Sequence, residues 1–180
     1  MRDTLKINEQ DAKEQGDAIN YFTGGGYGPI HDGSDTYYND LIDKAIANPN
    51  SPIYTGEQFR GIKLWNSDMP TGITTREYIQ TIIDKGLWSE SGATSFSAHM
   101  SVAESFGGVH STMRGHDYTS VIIKYQGHTG MPIKHISNFE HEKEVLHSRR
   151  QMKRGYDIVD HQWSSDGGTV TITIRDKRRK

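Results

Sequence analysis

The sequence predicts an α+β domain in which helices dominate the first half of the chain and short strands the second. Apolar residues recur with helical spacing early in the chain, most clearly from Asp35 to Ala47. Strand-like segments crowd the part that follows Thr119. A group of helices followed by a group of strands is typical of α+β proteins. In α/β proteins, by contrast, strands and helices alternate along the chain.

Composition limits the classes of protein to which the chain can belong. A length of 180 residues favours one domain that buries about 70% of the surface of its unfolded chain. The absence of cysteine excludes disulfides, thiolate metal sites and a cysteine nucleophile. A formal charge of −2 indicates no general attraction to nucleic acid. With no long apolar run and no apolar core near Met1, we expect neither a membrane span nor a signal peptide.

Three helices are predicted in the first half. A polar helix is expected from Asn8 to Asn20, and an amphipathic one from Asp35 to Ala47, with Tyr38, Leu41, Ile42, Ala45 and Ile46 on one face. The third follows a capping-box pattern at Thr74 and Glu77, runs to Asp84 and is closed by Gly86.

The glycine-rich stretch from Tyr21 to Ile30 separates the first two helices. No strand precedes it, no Gly-Lys-Ser/Thr follows it, and Pro29 stands where a dinucleotide-binding motif needs its last glycine. It is therefore predicted to be a turn whose tyrosine and isoleucine side chains pack onto the protein.

The remaining chain predicts short strands, one short helix and one polar loop. Ser101–Phe106 has the spacing of a second capping box, and the segment 107–117 shows no periodicity. The organisation expected is one domain with a helical part (1–52), a sheet core (53–175) and a basic, solvated tail (176–180). The predicted strands are Ile53–Ile62, Ala93–Ser97, Thr119–Gln126, Ile133–Ile136, Glu142–His147, Tyr156–His161 and Thr169–Arg175.

Glu142 and Glu144 form the most unusual pair in the chain. Residues two apart on a strand point to the same face, so both carboxylates are expected to project together. Like charges at that distance repel, and a protein seldom accepts this on an inward face without a use for it. An isolated Glu-x-Glu is more often an exposed strand edge, so its meaning depends on other motifs.

Three separated motifs, taken in order, resemble a known signature: Phe59-Arg60-Gly61, Thr94-Ser95-Phe96-Ser97 and Glu142-Lys143-Glu144-Val145-Leu146. They resemble the Arg–Ser–Glu signature of the mono-ADP-ribosyltransferases, in the branch of bacterial toxins, effectors and phage enzymes that modify arginine. The stretch from Tyr21 to Ile30 is similar to the N-terminal lead-in of that family. Two positions depart from the pattern: Phe96 replaces the usual threonine, and Phe59 replaces the commoner tyrosine.

The resemblance implies a fold of two small, roughly perpendicular sheets that hold NAD as substrate, with no metal. Breaking the bond between nicotinamide and ribose builds positive charge on the sugar, which the carboxylate of Glu144 would stabilise. Arg60, next to Gly61, would bind the pyrophosphate, because a guanidinium suits two phosphate oxygens. Ser95 would orient Glu144 and the ribose, with Ser97 beside it.

The resemblance also implies an acceptor. Glu142 would hydrogen-bond to a guanidinium and accept its proton. Relatives that modify arginine carry Glu at this position, whereas relatives that modify asparagine-type acceptors carry Gln. Phe139 either touches the target protein or packs in the core. The loop 107–117 either closes over NAD, with Arg114 on a phosphate, or is an ordinary surface loop.

Two alternatives stay open at this point. An NAD glycohydrolase would use Arg60, Ser95 and Glu144 without needing Glu142, and a catalytically silent module would only bind NAD or a partner. The expected partners are a target protein that presents an arginine and an immunity or inhibitor protein. The expected location is the cytoplasm of the target or host cell.

Nine histidines are scattered without His-Glu-x-x-His spacing, so no metal site is predicted.

Overall fold

The computed structural model describes residues 1–134, 136 and 142–177. The described chain contains both helices and strands, with most helices early and most strands late, which confirms the α+β class. The helices are α1 (Arg2–Leu5), α2 (Glu9–Thr23), α3 (Tyr27–His31), α4 (Thr36–Ala47), α5 (Thr75–Lys85), α6 (Met100–Gly107) and α7 (Arg149–Arg154). The strands are β1 (Glu57–Trp65), β2 (Leu87–Trp88), β3 (Thr94–Ser97), β4 (Tyr118–Gln126), β5 (Met131–Pro132), β6 (Glu144–His147), β7 (Tyr156–Trp163) and β8 (Thr169–Asp176).

The chain forms two compact units, each drawn from three segments. The first unit comprises the described residues of Met1–Thr55, Ser89–Phe96 and His128–Gly155, and the rest of the described chain forms the second. Hydrogen-bonded strand neighbours follow the order β2-β7-β8-β4-β1-β3-β6-β5. The first five of these strands belong to the second unit. β5, β6 and most of β3 belong to the first unit. The division at residues 52 and 175 stays a prediction.

Helices and the short strands β5 and β6 share one apolar core in the first unit. The helices begin where a side chain can accept from a free backbone N–H: the side chain of Asn8 accepts from Asp11 and that of Asp35 from Tyr38. Burial of the apolar faces then holds the helices on the strands. The core residues are Leu5, Ala18, Ile19, Phe22, Ile30, Leu41, Ile42, Ala45, Ala93, Met131, Ile133 and Leu146.

β4 organises the second unit, pairing antiparallel with β1 and parallel with β8. Its two faces are covered by different helices. The Ser120 hydroxyl donates to the Gly107 carbonyl of α6 at 2.6 Å, and the hydroxyls of Thr119 and of Thr75 in α5 lie 2.7 Å apart. Because neighbouring residues on a strand point to opposite faces, α6 and α5 cover opposite faces of β4. This explains why nearly every residue of β4 is buried.

Several boundaries differ from the predictions. Tyr21–Ile30 is not one turn: α2 continues to Thr23 and Tyr27 opens α3. Ile30 is fully buried as predicted, but Tyr21 and Tyr27 are 41% and 39% exposed. The strand predicted at Ile133–Ile136 is wrong, because β5 ends at Pro132. The second capping box is also wrong, since α6 begins after His99 without a side-chain cap.

The helices predicted around Asn8, Asp35 and Thr74 are confirmed, and Gly86 closes α5 in the left-handed conformation. Three short helices, α1, α3 and α7, were not predicted. Among the described residues, no helix has the length and apolar character that a membrane crossing requires.

Candidate active site

Glu144 is the first residue of β6 and is buried, with 7% of its surface exposed. Its Oε2 atom is inaccessible to solvent. The Ile133 N–H donates to the Glu144 carbonyl at 3.1 Å, and Pro132 pairs with Val145, so β5 fixes the backbone of this strand. The buried carboxylate is therefore carried on a hydrogen-bonded strand.

Glu142 lies outside the strand, contrary to the prediction that both glutamates share it. Lys143 has φ 45, a left-handed conformation that an extended strand does not contain. Glu142 lies in a short helical turn before it and is partly exposed. Strand alternation therefore stops at Glu144, and the two carboxylates differ in both backbone setting and exposure.

Ser95 lies on β3, the strand neighbour of β6. The ring of Phe96 contacts that of His147 with centroids 4.6 Å apart, which places these two side chains on one face. Ser95 is adjacent to Phe96 on β3, and Glu144 is an odd number of residues from His147 on β6. Because side chains alternate between the two faces of a strand, Ser95 and Glu144 both point to the face opposite to Phe96 and His147. The first unit thus brings the predicted serine and the predicted second glutamate to neighbouring strands with the same orientation.

A buried asparagine fixes the chain that leads into β3. Asn39, fully buried on α4, donates to the carbonyls of Ile30 (2.9 Å) and Asp35 (2.8 Å) and accepts from the Ala93 N–H (3.1 Å). A methyl group added at Gly92 would lie 2.0 Å from the Ile30 carbonyl oxygen. The backbone two residues before Ser95 is therefore held against the end of α3.

His31 strengthens the same attachment. Its Nε2 lies 3.4 Å from a Glu90 carboxylate oxygen, and its Nδ1 lies 3.3 Å from the Ala93 carbonyl and 3.2 Å from the Thr94 hydroxyl.

The sequence carries no signal for Asn39, His31, Glu90 or His147 as supporting residues, because their partners are far away along the chain. The helix α7 after β6 did have a signal, since Ser148 and Gln151 form a capping box.

Arg60 and Gly61 point to opposite faces of β1 in the second unit. Gly61 faces α6, where an added methyl group would lie 1.7 Å from the Ala103 carbonyl oxygen. Arg60 consequently lies on the other face, in register with the buried Ile123 and on the same side as the buried Gln58. The Arg60 side chain is partly buried, and its Nε atom is inaccessible to solvent.

Ser97 is paired with Phe59, the residue before Arg60. It is buried, with 4% exposed, and its hydroxyl accepts from the His99 N–H at 3.0 Å. Ser97 therefore holds the turn from β3 into α6. Its predicted part in NAD binding stays a prediction.

Arg114 makes a bidentate ion pair with Asp166, with one pair of atoms 3.0 Å apart. It also donates to the Thr169 hydroxyl at 3.1 Å. Hydrogen bonds from Arg114, Ser164 and Gly168 hold the pKa of Asp166 well below its usual range, and the bond to Asp166 raises the pKa of Arg114. The guanidinium thus ties the segment before β4 to the turn before β8, and a phosphate would have to compete with Asp166 for it.

The predicted residues therefore fall into two groups. The first unit holds Ser95, Glu142 and Glu144, and the second holds Arg60, Gly61, Ser97 and Arg114. A single groove shared by both groups stays a prediction, and Phe139 lies outside the described residues. Within the described part of the chain, no group of three or more His, Cys, Asp or Glu side chains could hold a metal ion.

No family model matches the chain, and no curated protein matches it. Solved structures do. An ADP-ribosyltransferase from Clostridium botulinum is 19% identical with a TM-score of 0.63, over 98% of this chain and 95% of that one. The ADP-ribosyltransferase Vis in complex with an inhibitor is 18% identical with a TM-score of 0.64, over 95% and 77%. This toxin comes from Vibrio splendidus.

Two further complexes resemble the chain. Vis in complex with agmatine is 17% identical with a TM-score of 0.54, over 96% of this chain and 76% of that one. Exoenzyme S from Pseudomonas aeruginosa, in complex with human 14-3-3 protein beta and bound to carba-NAD, is 16% identical with a TM-score of 0.61, over 96% and 84%. The chain therefore has the ADP-ribosyltransferase fold.

Proposed function

We propose that this protein transfers ADP-ribose from NAD to an arginine side chain of a target protein and releases nicotinamide. The observation that carries the proposal is a buried carboxylate, Glu144, at the start of β6 in a chain with the ADP-ribosyltransferase fold. Several solved structures of this fold are toxins or effectors, which favours a target in another cell.

The chemistry requires stabilisation of positive charge. As the bond between the ribose C1′ and the nicotinamide nitrogen breaks, its electron pair neutralises the ring nitrogen, and positive charge develops on the sugar. A fixed carboxylate close to that charge lowers the barrier most when water is excluded. Glu144 fits this task because its side chain is buried on a hydrogen-bonded strand.

Glu142 would handle the acceptor. A guanidinium nitrogen attacks C1′ and loses a proton as the new bond forms, and the Glu142 carboxylate would orient the guanidinium and receive that proton. Partial exposure and a turn conformation suit a group that must meet a side chain of another protein. Agmatine, the ligand of the similar Vis structure, carries the same guanidinium group, which supports an arginine acceptor.

Arg60 would bind the NAD pyrophosphate, and Ser95 would orient Glu144 and the ribose. Arg60 is partly buried on the face of β1 that α6 does not cover, so its fork of donors is held in place by the sheet. The shared orientation of Ser95 and Glu144 on neighbouring strands supports the second assignment.

The test uses NAD labelled in its ADP-ribose part, with a cell lysate and separately with agmatine as acceptor. Glu144→Gln should lose both transfer and nicotinamide release by about 100-fold or more, the scale of losing a main charge stabiliser. Glu142→Gln should keep measurable NAD hydrolysis and lose transfer to either acceptor. Glu57→Gln, an exposed glutamate at the start of β1, is the matched control and should behave as wild type.

Three outcomes would count against the proposal. Unchanged transfer by Glu142→Gln would reject the arginine assignment. A wild-type protein that forms only free ADP-ribose would be a glycohydrolase. A protein that shows no turnover, while NAD still raises its melting temperature, would be a binding module.

A further inference from the structure

Three exposed tyrosines and one partly buried tyrosine lie close together on α2, α3 and α4 of the first unit. The rings of Tyr21 and Tyr38 lie 4.7 Å apart, and those of Tyr37 and Tyr38 lie 5.2 Å apart. Tyr21 also packs on Gly26, next to Tyr27: a methyl group added at Gly26 would lie 2.2 Å from the Tyr21 ring. Tyr21, Tyr27 and Tyr37 are 41%, 39% and 61% exposed. We name Tyr21, Tyr27, Tyr37 and Tyr38 the tyrosine surface.

The chain that carries this surface is acidic. Residues 14–43 contain six carboxylates and no lysine or arginine, although the whole chain is nearly balanced with 21 basic and 23 acidic residues. Arg149 of α7 is shared by Asp40 and Asp43, and Lys13 pairs with Asp17. These two cations do not offset the acidic excess of the segment.

Asp32 and Asp35 place negative charge next to the tyrosines. Asp32 directly follows α3, and a hydrogen bond from Ser34 lowers the pKa of its carboxyl group, which keeps it ionised. The Asp35 carboxylate accepts from the Tyr38 N–H at 3.1 Å, at the start of α4. Asp32 thus follows the helix of Tyr27, and Asp35 precedes the helix of Tyr37 and Tyr38. His31 stacks on Tyr27 with centroids 5.1 Å apart.

We infer that the tyrosine surface binds an arginine- and lysine-rich segment of a partner protein. Tyrosine faces attract guanidinium and ammonium groups, and the flanking carboxylates add attraction of the same sign. Tyrosine is also enriched where proteins bind each other. The same charge repels nucleic acid. The identification of this partner with the protein acceptor rests on the proposed function and adds that the modified arginine lies in basic surroundings.

The test measures binding without NAD, by fluorescence anisotropy of a labelled peptide of alternating glycine and arginine. A glycine–glutamate peptide is the negative control. Wild type should bind only the arginine peptide, and more weakly as salt rises. Tyr27→Ser combined with Tyr37→Ser should raise the Kd about fivefold or more, the scale of losing two exposed cation–π contacts. Asp32→Lys should weaken binding as well.

Tyr78→Ser on α5 of the second unit is the matched control, because Tyr78 is 41% exposed; its Kd should stay within about twofold of wild type. Tyr37→Phe, which keeps the ring, should retain binding. If the double variant does not melt cooperatively, the Kd of the single variant Tyr37→Ser is used to test the inference. Tyr37 is 61% exposed, so its replacement should not disturb the fold.

The inference fails if wild type does not bind the arginine peptide, if both peptides bind equally, or if folded tyrosine variants bind as wild type does. Transfer to agmatine is measured in parallel. A protein that binds the peptide but transfers nothing to agmatine or to lysate proteins rejects the proposed function and leaves the inferred binding surface supported. Transfer to agmatine without peptide binding rejects only the surface.

Discussion

The Cα of Gly61 on β1 lies against the carbonyl oxygen of Ala103 on α6, so closely that an added methyl carbon would be 1.7 Å from that oxygen. The glycine that follows Arg60 therefore has a packing reason to be small, independent of any ligand. It lets α6 approach β1. Because neighbouring residues on a strand point to opposite faces, Arg60 lies on the face that the helix does not cover.

Gly61→Ala should destabilise the protein by about 1–3 kcal/mol, because α6 must move away from β1. Urea unfolding followed by circular dichroism measures this loss. Gly25→Ala is the control: an added methyl group at Gly25 meets nothing within 4 Å, so its free energy of unfolding should change by less than about 0.5 kcal/mol. A Gly61→Ala protein of normal stability that fails to bind NAD would instead assign this glycine to the ligand.

Arg60→Lys should raise the KM for NAD about 10-fold, since a lysine cannot make two parallel hydrogen bonds to a pyrophosphate. Steady-state nicotinamide release and the shift of melting temperature by NAD would both report it. Lys63→Gln is the control on the same strand, with its side chain on the α6 side. Equal NAD affinity in wild type and Arg60→Lys would place the pyrophosphate elsewhere.

Asn39→Ala should cost about 2–4 kcal/mol of the free energy of unfolding, because it removes three hydrogen bonds of a fully buried side chain and leaves the Ala93 N–H without its acceptor. The variant should also release nicotinamide more slowly at temperatures where it stays folded, since Ala93 leads directly into the strand of Ser95. Thermal unfolding and NAD turnover at a low temperature separate the two effects. Asn50→Ala is the control and should change both far less: Asn50 is exposed, and its amide donates only a long bond of 3.4 Å to the Leu5 carbonyl, which also accepts from Asn48.

The ion pair of Asp166 with Arg114 predicts a pH dependence of stability. The pKa of Asp166 is depressed in the folded protein by Arg114, so its stabilising contribution is present above the unfolded pKa of about 3.9. That contribution is lost as pH falls through the lower folded pKa. Wild type should therefore melt above Asp166→Asn at pH 7, and the difference should shrink below about pH 4. A difference that does not change between pH 7 and pH 3 would show that the carboxylate charge contributes nothing.

Local patterns in the sequence were sufficient for many of the helices. Asn8, Asp35 and Thr74 each accept a hydrogen bond at the start of a helix, and Gly86 ends one, because capping depends only on residues three or four apart. The strand-like segments from Thr119 and from Tyr156 likewise located β4 and β7. Patterns failed where one backbone angle interrupts them, as at Lys143, whose left-handed conformation excludes Glu142 from the strand.

The candidate site shows the same division. From the sequence alone came the α+β class and the motifs around Arg60, Ser95 and Glu144. Only the tertiary structure decided that Glu144 is buried while Glu142 is partly exposed, that Arg114 is engaged by Asp166, and that Asn39 holds the chain before Ser95. Capping and alternation act between near neighbours, whereas burial and ion pairing join residues that are distant in sequence, such as Asn39 and Ala93.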